Sequence, residues 1–344
     1  MTQNKFERLQ DGFRVLLGAN AGEVTALTRN YALRAELSVD AEAMAKSAFS
    51  GNGQAYRQMH EILFAYYNQQ FSMVRPALTD VDPNGAAIDL VSIFETAILA
   101  DAERQVDWSA LPEIPGNGTD FVTWFRDVAQ GHEAWNHPFY LDFLTNRATV
   151  EDFRYYLTQE TTLDPRFDDL LALIQIGTSG DVKLEIASNY WDEMGGGQEA
   201  EVHTVLFSRA LGELGADQAY IDANTSLSSK ASGNLSSMLG MKRRHFYKAI
   251  GYFGITEYMA PHRFKCVVEG WRRNKLPAGG IIYHDLHIGV DAGHSLGWMH
   301  NVIAPLCDRD PIAAQEIARG AIYRLNSSAR YLASISEDRF AKVA

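Results

Sequence analysis

Near its C-terminal end the chain carries His287-Ile-Gly-Val-Asp291-Ala-Gly-His294, two imidazoles and a carboxylate at positions i, i+4 and i+7. A helix turns by about 100° per residue, so these groups share one narrow face and can converge on a point. Imidazoles with hard carboxylates favour Fe(II) or Mn(II) over softer metals, which makes the stretch a candidate ligand stripe. Four other positions put an ionisable group where a core residue belongs. Glu257 completes an apolar stripe begun by Phe246, Ile250 and Phe253; His203 heads one continued by Leu206, Phe207, Ala210 and Leu214. Glu193 follows Val182 and Ile186, and Glu160 follows Phe153, Tyr156 and Leu157. All four should point inward.

Any one of these residues alone is most often a salt-bridged or hydrogen-bonded core group. Taken together they read differently, because a buried unpaired carboxylate costs several kcal/mol and a core holding several of them calls for a cation. Carboxylates and imidazoles from four or five helices are how helical bundles hold two iron or manganese ions. The usual Glu-x-x-His pair is absent, and His-x-x-x-Asp-x-x-His stands in its place. Two ambiguities stay open at this level. Glu199, four residues before His203, could replace Glu193, although the apolar stripe favours Glu193. His284, three residues before His287, reads as surface or as support for the ligands.

Three motifs in order, Asn189-Tyr-Trp-Asp-Glu193-Met-Gly-Gly-Gly with His203, Thr256-Glu257-Tyr-Met-Ala-Pro261, and the His287/Asp291/His294 stripe, resemble the heme-oxygenase-like di-iron oxidase and oxygenase superfamily over roughly residues 121–335. The resemblance implies that Glu193, His203, Glu257, His287, Asp291 and His294 ligate two irons. It also implies dioxygen as co-substrate and an external electron donor for repeated turnover. Members that oxygenate nitrogen resemble one another in an extra carboxylate from the first core helix. Glu160 is expected to supply it here, with Asp164 and Asp168 as competitors and Arg166 as a possible salt-bridge partner instead. The expected reaction is conversion of an amine to a hydroxylamine, nitroso or nitro product in specialised metabolism. Competing readings are desaturation or carbon–carbon cleavage of an amino or fatty acid, and a non-enzymatic helical interaction protein. Tyr190, Trp191, Tyr258 and Trp298 are candidates to line an aromatic substrate pocket, and Arg263 or Arg166 could meet a substrate carboxylate.

The elements that must position these groups are helical throughout; no alternating strand pattern appears. The expected fold is all-α, a heme-oxygenase-like bundle of about seven core helices with an N-terminal helical extension. Residues 1–107 read as that extension, which in some relatives serves dimerisation, so a homodimer is expected. Residues 108–119, with two prolines and two glycines, read as a linker, and 120–344 as the catalytic domain. Thr119-Asp120 is expected to cap its first helix, and Thr149 with Asp152 to cap the one carrying Glu160. Gly195-Gly196-Gly197 follows no strand and lacks dinucleotide-loop spacing, so it should break the helix between Glu193 and His203. A hydrophobic content of 46% supports a full core, and a formal charge of −12 argues against a nucleic-acid partner. No apolar run is long enough for a membrane span, the N-terminus lacks a signal-peptide core, and two widely spaced cysteines suit a reducing compartment, so a cytoplasmic enzyme is expected.

Overall fold

Helical periodicity carries through to the computed structural model, which describes residues 5–73 and 83–340 and has no strand among them. The chain divides into two compact units, Met1–Arg104 with Gly233–Leu235, and Gln105–Ser232 with Ser236–Ala344. The first unit is built from α1 (Lys5–Leu17), α2 (Ala21–Arg29), α3 (Tyr31–Ala48), α4 (Gly53–Gln70) and α5 (Gly85–Arg104). Asparagines start three of these: the side chains of Asn20, Asn30 and Asn52 accept from the first free amides of α2, α3 and α4. Phe13, Met44, Met59, Leu63 and Phe94 bury the inward faces.

The second unit opens through a short turn at Trp108–Ala110 and then α6 (Gly118–Gly131). Its cap is Asn117, whose side chain accepts from the Asp120 amide, and not Thr119-Asp120 as the sequence suggests. Asp120 instead sits at the third helical position, where its charge complements the helix N-terminus. A π-helical segment (Phe139–Arg147) leads to α7 (Val150–Glu160), which Thr149 and Asp152 start with a reciprocal capping box. Next come α8 (Phe167–Ile174), α9 (Gly180–Glu193), α10 (His203–Glu213), α11 (Gln218–Asn224) and α12 (Leu227–Met241). The unit closes with α13 (Phe246–Arg273), α14 (Ile282–Gly297), a π-helical turn at Trp298–Ile303, α15 (Ala304–Arg309) and α16 (Pro311–Phe340).

The long α13 runs through the middle of this unit and is buried over most of its length, from Ala249 to Trp271. It crosses α16 at backbone contact. A Cβ on Gly251 would lie 1.9 Å from the Ile317 carbonyl oxygen, and one on Gly320 would lie 1.9 Å from that of Lys248. Only glycine at both positions lets the two backbones meet. This crossing fixes α13 as the axis against which α14 packs, and both helices carry ligand candidates.

Candidate metal centre

Four helices bring six of the expected residues together, all buried, in two groups of three. Glu193 ends α9, His203 begins α10 and His287 lies on α14; Glu257 comes from α13, with Asp291 and His294 from α14. Within each group the potential ligand atoms lie within 4.8 Å of one another. The α14 stripe therefore divides: its first histidine joins one group, and its aspartate and second histidine join the other. A cavity bounded by Glu193, His287, Glu257 and Asp291 joins the two groups.

Hydrogen bonds fix which atom of each ligand faces inward. His287 Nδ1 donates to the Tyr283 carbonyl at 2.5 Å, leaving Nε2 turned toward Glu193 Oε1 at 3.9 Å. His294 Nε2 donates to Asp192 Oδ2 at 2.9 Å, leaving Nδ1 facing Asp291 Oδ1 at 3.5 Å and Glu257 Oε2 at 3.6 Å. Asn189 donates to Glu257 Oε1 at 2.9 Å, and His203 Nδ1 lies 2.7 Å from Glu193 Oε2. Such outer contacts set ring tautomer and carboxylate orientation.

The electrostatics show what the pocket lacks. Burial alone would raise the Glu193 carboxyl, but His203 and His287 outweigh it and hold it at about 2. Burial would lower His287 and His294, yet the facing carboxylates hold them up at about 9 and about 11. Glu257 is raised, first by burial and then by Asp291. A divalent ion held between these groups would take the place of such protons. Among the described residues Glu257 Oε2, His294 Nδ1 and Asp164 Oδ2 are also buried without a hydrogen-bond partner. Open acceptors beside clustered carboxylates and imidazoles fit two divalent ions of intermediate hardness.

Glu160 departs from expectation. It is buried, as its stripe requires, but Arg263 Nη1 donates to its Oε2 at 2.9 Å and the Tyr331 hydroxyl to its Oε1 at 2.7 Å. Both oxygens are engaged, it belongs to neither ligand group, and its partner is Arg263 rather than Arg166. The reason is local. Helix α7 stops at Glu160, and the chain turns through Asp164–Arg166 before α8, so the next carboxylate is the one delivered to the cavity. Asp164 lines that cavity beside Glu193, Glu257, His287 and Asp291, with burial and the Glu160 charge holding its carboxyl up at about 7. Asp168, half-buried and raised to about 6 chiefly by burial, does not line it.

Other expectations sort cleanly. Glu199 is exposed on a short turn, so Glu193 is the residue gathered with His203. The glycine run does break the helix: Gly195, Gly196 and Gly197 all have positive φ, and a Cβ on Gly195 would strike the Glu201 backbone. His284 is not at the surface: it is fully buried among Phe207, Phe264 and Tyr283, and among the described residues neither ring nitrogen has a hydrogen-bond partner. Of the six residues offered for substrate contact, Arg263 lines the cavity, Trp191 is exposed, and Arg166 is buried without lining it. Tyr258 instead accepts from Gln130 and packs on Trp135, Tyr190 is half-buried away from the cavity, and Trp298 is wholly buried against Gly254. The Trp298 backbone keeps the α14 phase, its amide bonding the His294 carbonyl, and the indole is taken up by packing on α13. Asp192 escapes a sequence reading because it lies off the Glu193 stripe. Asn189 is legible there, since Val182, Ile186, Asn189 and Glu193 share one face at spacings of four, three and four.

No curated protein matches the chain. Residues 154–329, which hold Asp164 and all six gathered residues, match the family described as iron-containing redox enzymes. With half of its length matched and its helices arranged as that superfamily's fold requires, the chain belongs to the iron-containing redox enzyme family of the heme-oxygenase-like superfamily.

Proposed function

We propose that the protein is a non-heme di-iron, dioxygen-dependent oxygenase that transfers oxygen to the nitrogen of an amine. Glu193, His203 and His287 would hold one iron, and Glu257, Asp291 and His294 the other. The observation that carries the nitrogen reading is Asp164, an extra carboxylate with an unpartnered oxygen on the cavity between the two groups. It takes the role expected of Glu160. With Asp164, four carboxylates balance two divalent ions, a match of charge that a buried site requires. Bound iron supplies the electrons that reduce dioxygen and delivers the oxygen atom; an external donor restores them.

The chain's own residues prepare the substrate. Phe167, Ala260, Phe264 and Tyr283 supply the apolar part of the cavity wall. That apolar face disfavours the ammonium form, which would help an amine arrive with its lone pair free. Asp192 and Asn189 keep His294 and Glu257 aimed inward while substrate enters.

Anaerobic loading with Fe(II), followed by dioxygen and a panel of amines, tests this. The expected product gains oxygen on nitrogen, and Asp164→Asn keeps both irons but loses that product at least tenfold, within the range given up when a group acting in the reaction is removed. A product with a new double bond, or a shortened carbon skeleton with its amine intact, would replace this reading with the carbon-directed one.

A further inference from the structure

Arg324, on α16, is 7% exposed, and among the described residues its Nε has no hydrogen-bond partner. Its guanidinium packs over the face of the Tyr252 ring, 5.4 Å from Cζ to the centroid, and makes no ion pair, although its charge reaches Asp164 and Tyr140. The acids nearby are already engaged. Glu160 is matched by Arg263 at 2.9 Å, and Asp164, 3.7 Å from Arg263, lines the metal cavity. A buried guanidinium with no acid in ion-pair contact is an arrangement chains avoid, since an apolar residue would pack the same space at no electrostatic cost.

Arg324 walls a cavity of about 30 Å³ together with Arg263, Tyr140, Ser229 and Ser328. That is room for a carboxylate group or for one or two waters. Two guanidiniums and six hydroxyls line it, and its one acid, Glu160, is already engaged by Arg263 and Tyr331, so the lining is donor-rich and the guanidinium fork matches a carboxylate. Arg263 also walls the cavity between the two ligand groups, so the two spaces abut across a single side chain. We infer that the Arg324 cavity binds a carboxylate, and that the substrate of the metal centre is therefore an amine that carries one, an amino acid rather than a simple amine. The second half rests on the amine reading above; the first stands without it.

Thermal unfolding of the full metal-free chain at fixed ionic strength, titrated with formate and separately with chloride, tests the anion site. Formate at ten times its Kd is expected to raise the midpoint by about 2 °C, and chloride not to. Arg324→Met removes the unpaired charge, so it is expected to raise the midpoint in formate-free buffer and to abolish the formate response. Ser328→Leu, which fills the cavity with Arg324 intact, is expected to abolish the response too. A midpoint indifferent to formate, or a response in either variant as large as the parent's, overturns the site and leaves Arg324 hydrated by water. The substrate half is read from the iron-loaded enzyme. Deleting the carboxylate from an oxidised amine should raise KM at least tenfold in the parent and leave it unchanged in Arg324→Met; equal KM values in the parent overturn it. A formate response with no amine oxidised keeps the anion site and removes the oxygenase reading. Amine oxidation without a formate response does the reverse.

Discussion

Asp192→Ala isolates one ligand group from the other. Asp192 Oδ2 accepts from His294 Nε2 at 2.9 Å, and no other histidine of the site depends on it. The hydrogen bond is charge-assisted, which in a buried setting contributes about 1.5–3 kcal/mol. The Asp192 side chain is 45% exposed, so solvent screening takes the value to the low end, about 1.4 kcal/mol. That is tenfold in affinity, the lower bound of what removal of an outer carboxylate costs a metal–histidine pair. The exposure also means that truncation leaves no cavity in the core. Anaerobic equilibrium dialysis with Fe(II) should therefore show two sites in the parent. In the variant, the ion held by Glu257, Asp291 and His294 should bind about tenfold more weakly, and the ion held by Glu193, His203 and His287 should be unchanged. Asp192→Asn, whose carbonyl oxygen still accepts, should fall between. An unaltered isotherm, or equal weakening at both sites, would refute the reasoning that Asp192 acts through His294.

Ligand removal should separate the groups in the same assay: His287→Ala and Asp291→Ala are each expected to lower uptake from two Fe(II) per chain by at least one, and full retention in both would sink the assignment. In the metal-free chain the facing carboxylates hold His287 at about 9 and His294 at about 11, above the ordinary histidine value near 6.5. Raised folded values contribute stability that is complete below pH 6.5 and lost as pH climbs through 9 and beyond, so the urea midpoint of chelated protein should fall between pH 7 and 10. The same protons must leave before metal binds, so apparent Fe(II) affinity should rise over that range; a pH-independent affinity would count against the protonated pocket. Gly251→Val should cost about 3 kcal/mol or more of unfolding stability, because its side chain meets the Ile317 carbonyl oxygen at the α13/α16 crossing; a denaturation midpoint within error of the parent would show that the crossing can part.

Much of this molecule can be read from period alone. The ionisable side chains that continue an apolar stripe, or repeat along one helix face, include all six residues buried in the two groups. The Thr149/Asp152 capping box and the break at Gly195-Gly196-Gly197 arise from local chemistry that needs no tertiary partner. What period cannot supply is the partner a side chain meets, or direction beyond the end of a helix. Trp298 continues the α14 stripe by count and in backbone phase, its amide bonded to the His294 carbonyl, yet its indole packs at Gly254 and does not line the cavity. Tyr258 comes directly after Glu257 and so must point to a different face, toward Gln130. His284 shows a related limit: position on a face predicts burial but not a partner, and its ring sits among aromatics.

Glu160 and Asp164 make the same point where it bears on chemistry. Both are buried acids four residues apart, and only the first lies on a clean stripe. Yet α7 ends at Glu160, and its carboxylate is consumed by Arg263 and Tyr331. The turn after it delivers Asp164 to the cavity with one oxygen open. The two acids then divide the local charge. Glu160 neutralises Arg263, Asp164 joins the three carboxylates of the ligand groups, and Arg324 is the cation left over. On the proposed reading an acid supplied from outside the chain would complete that balance, and this residual charge, more than any single contact, would tie the identity of the substrate to the geometry of the metal centre.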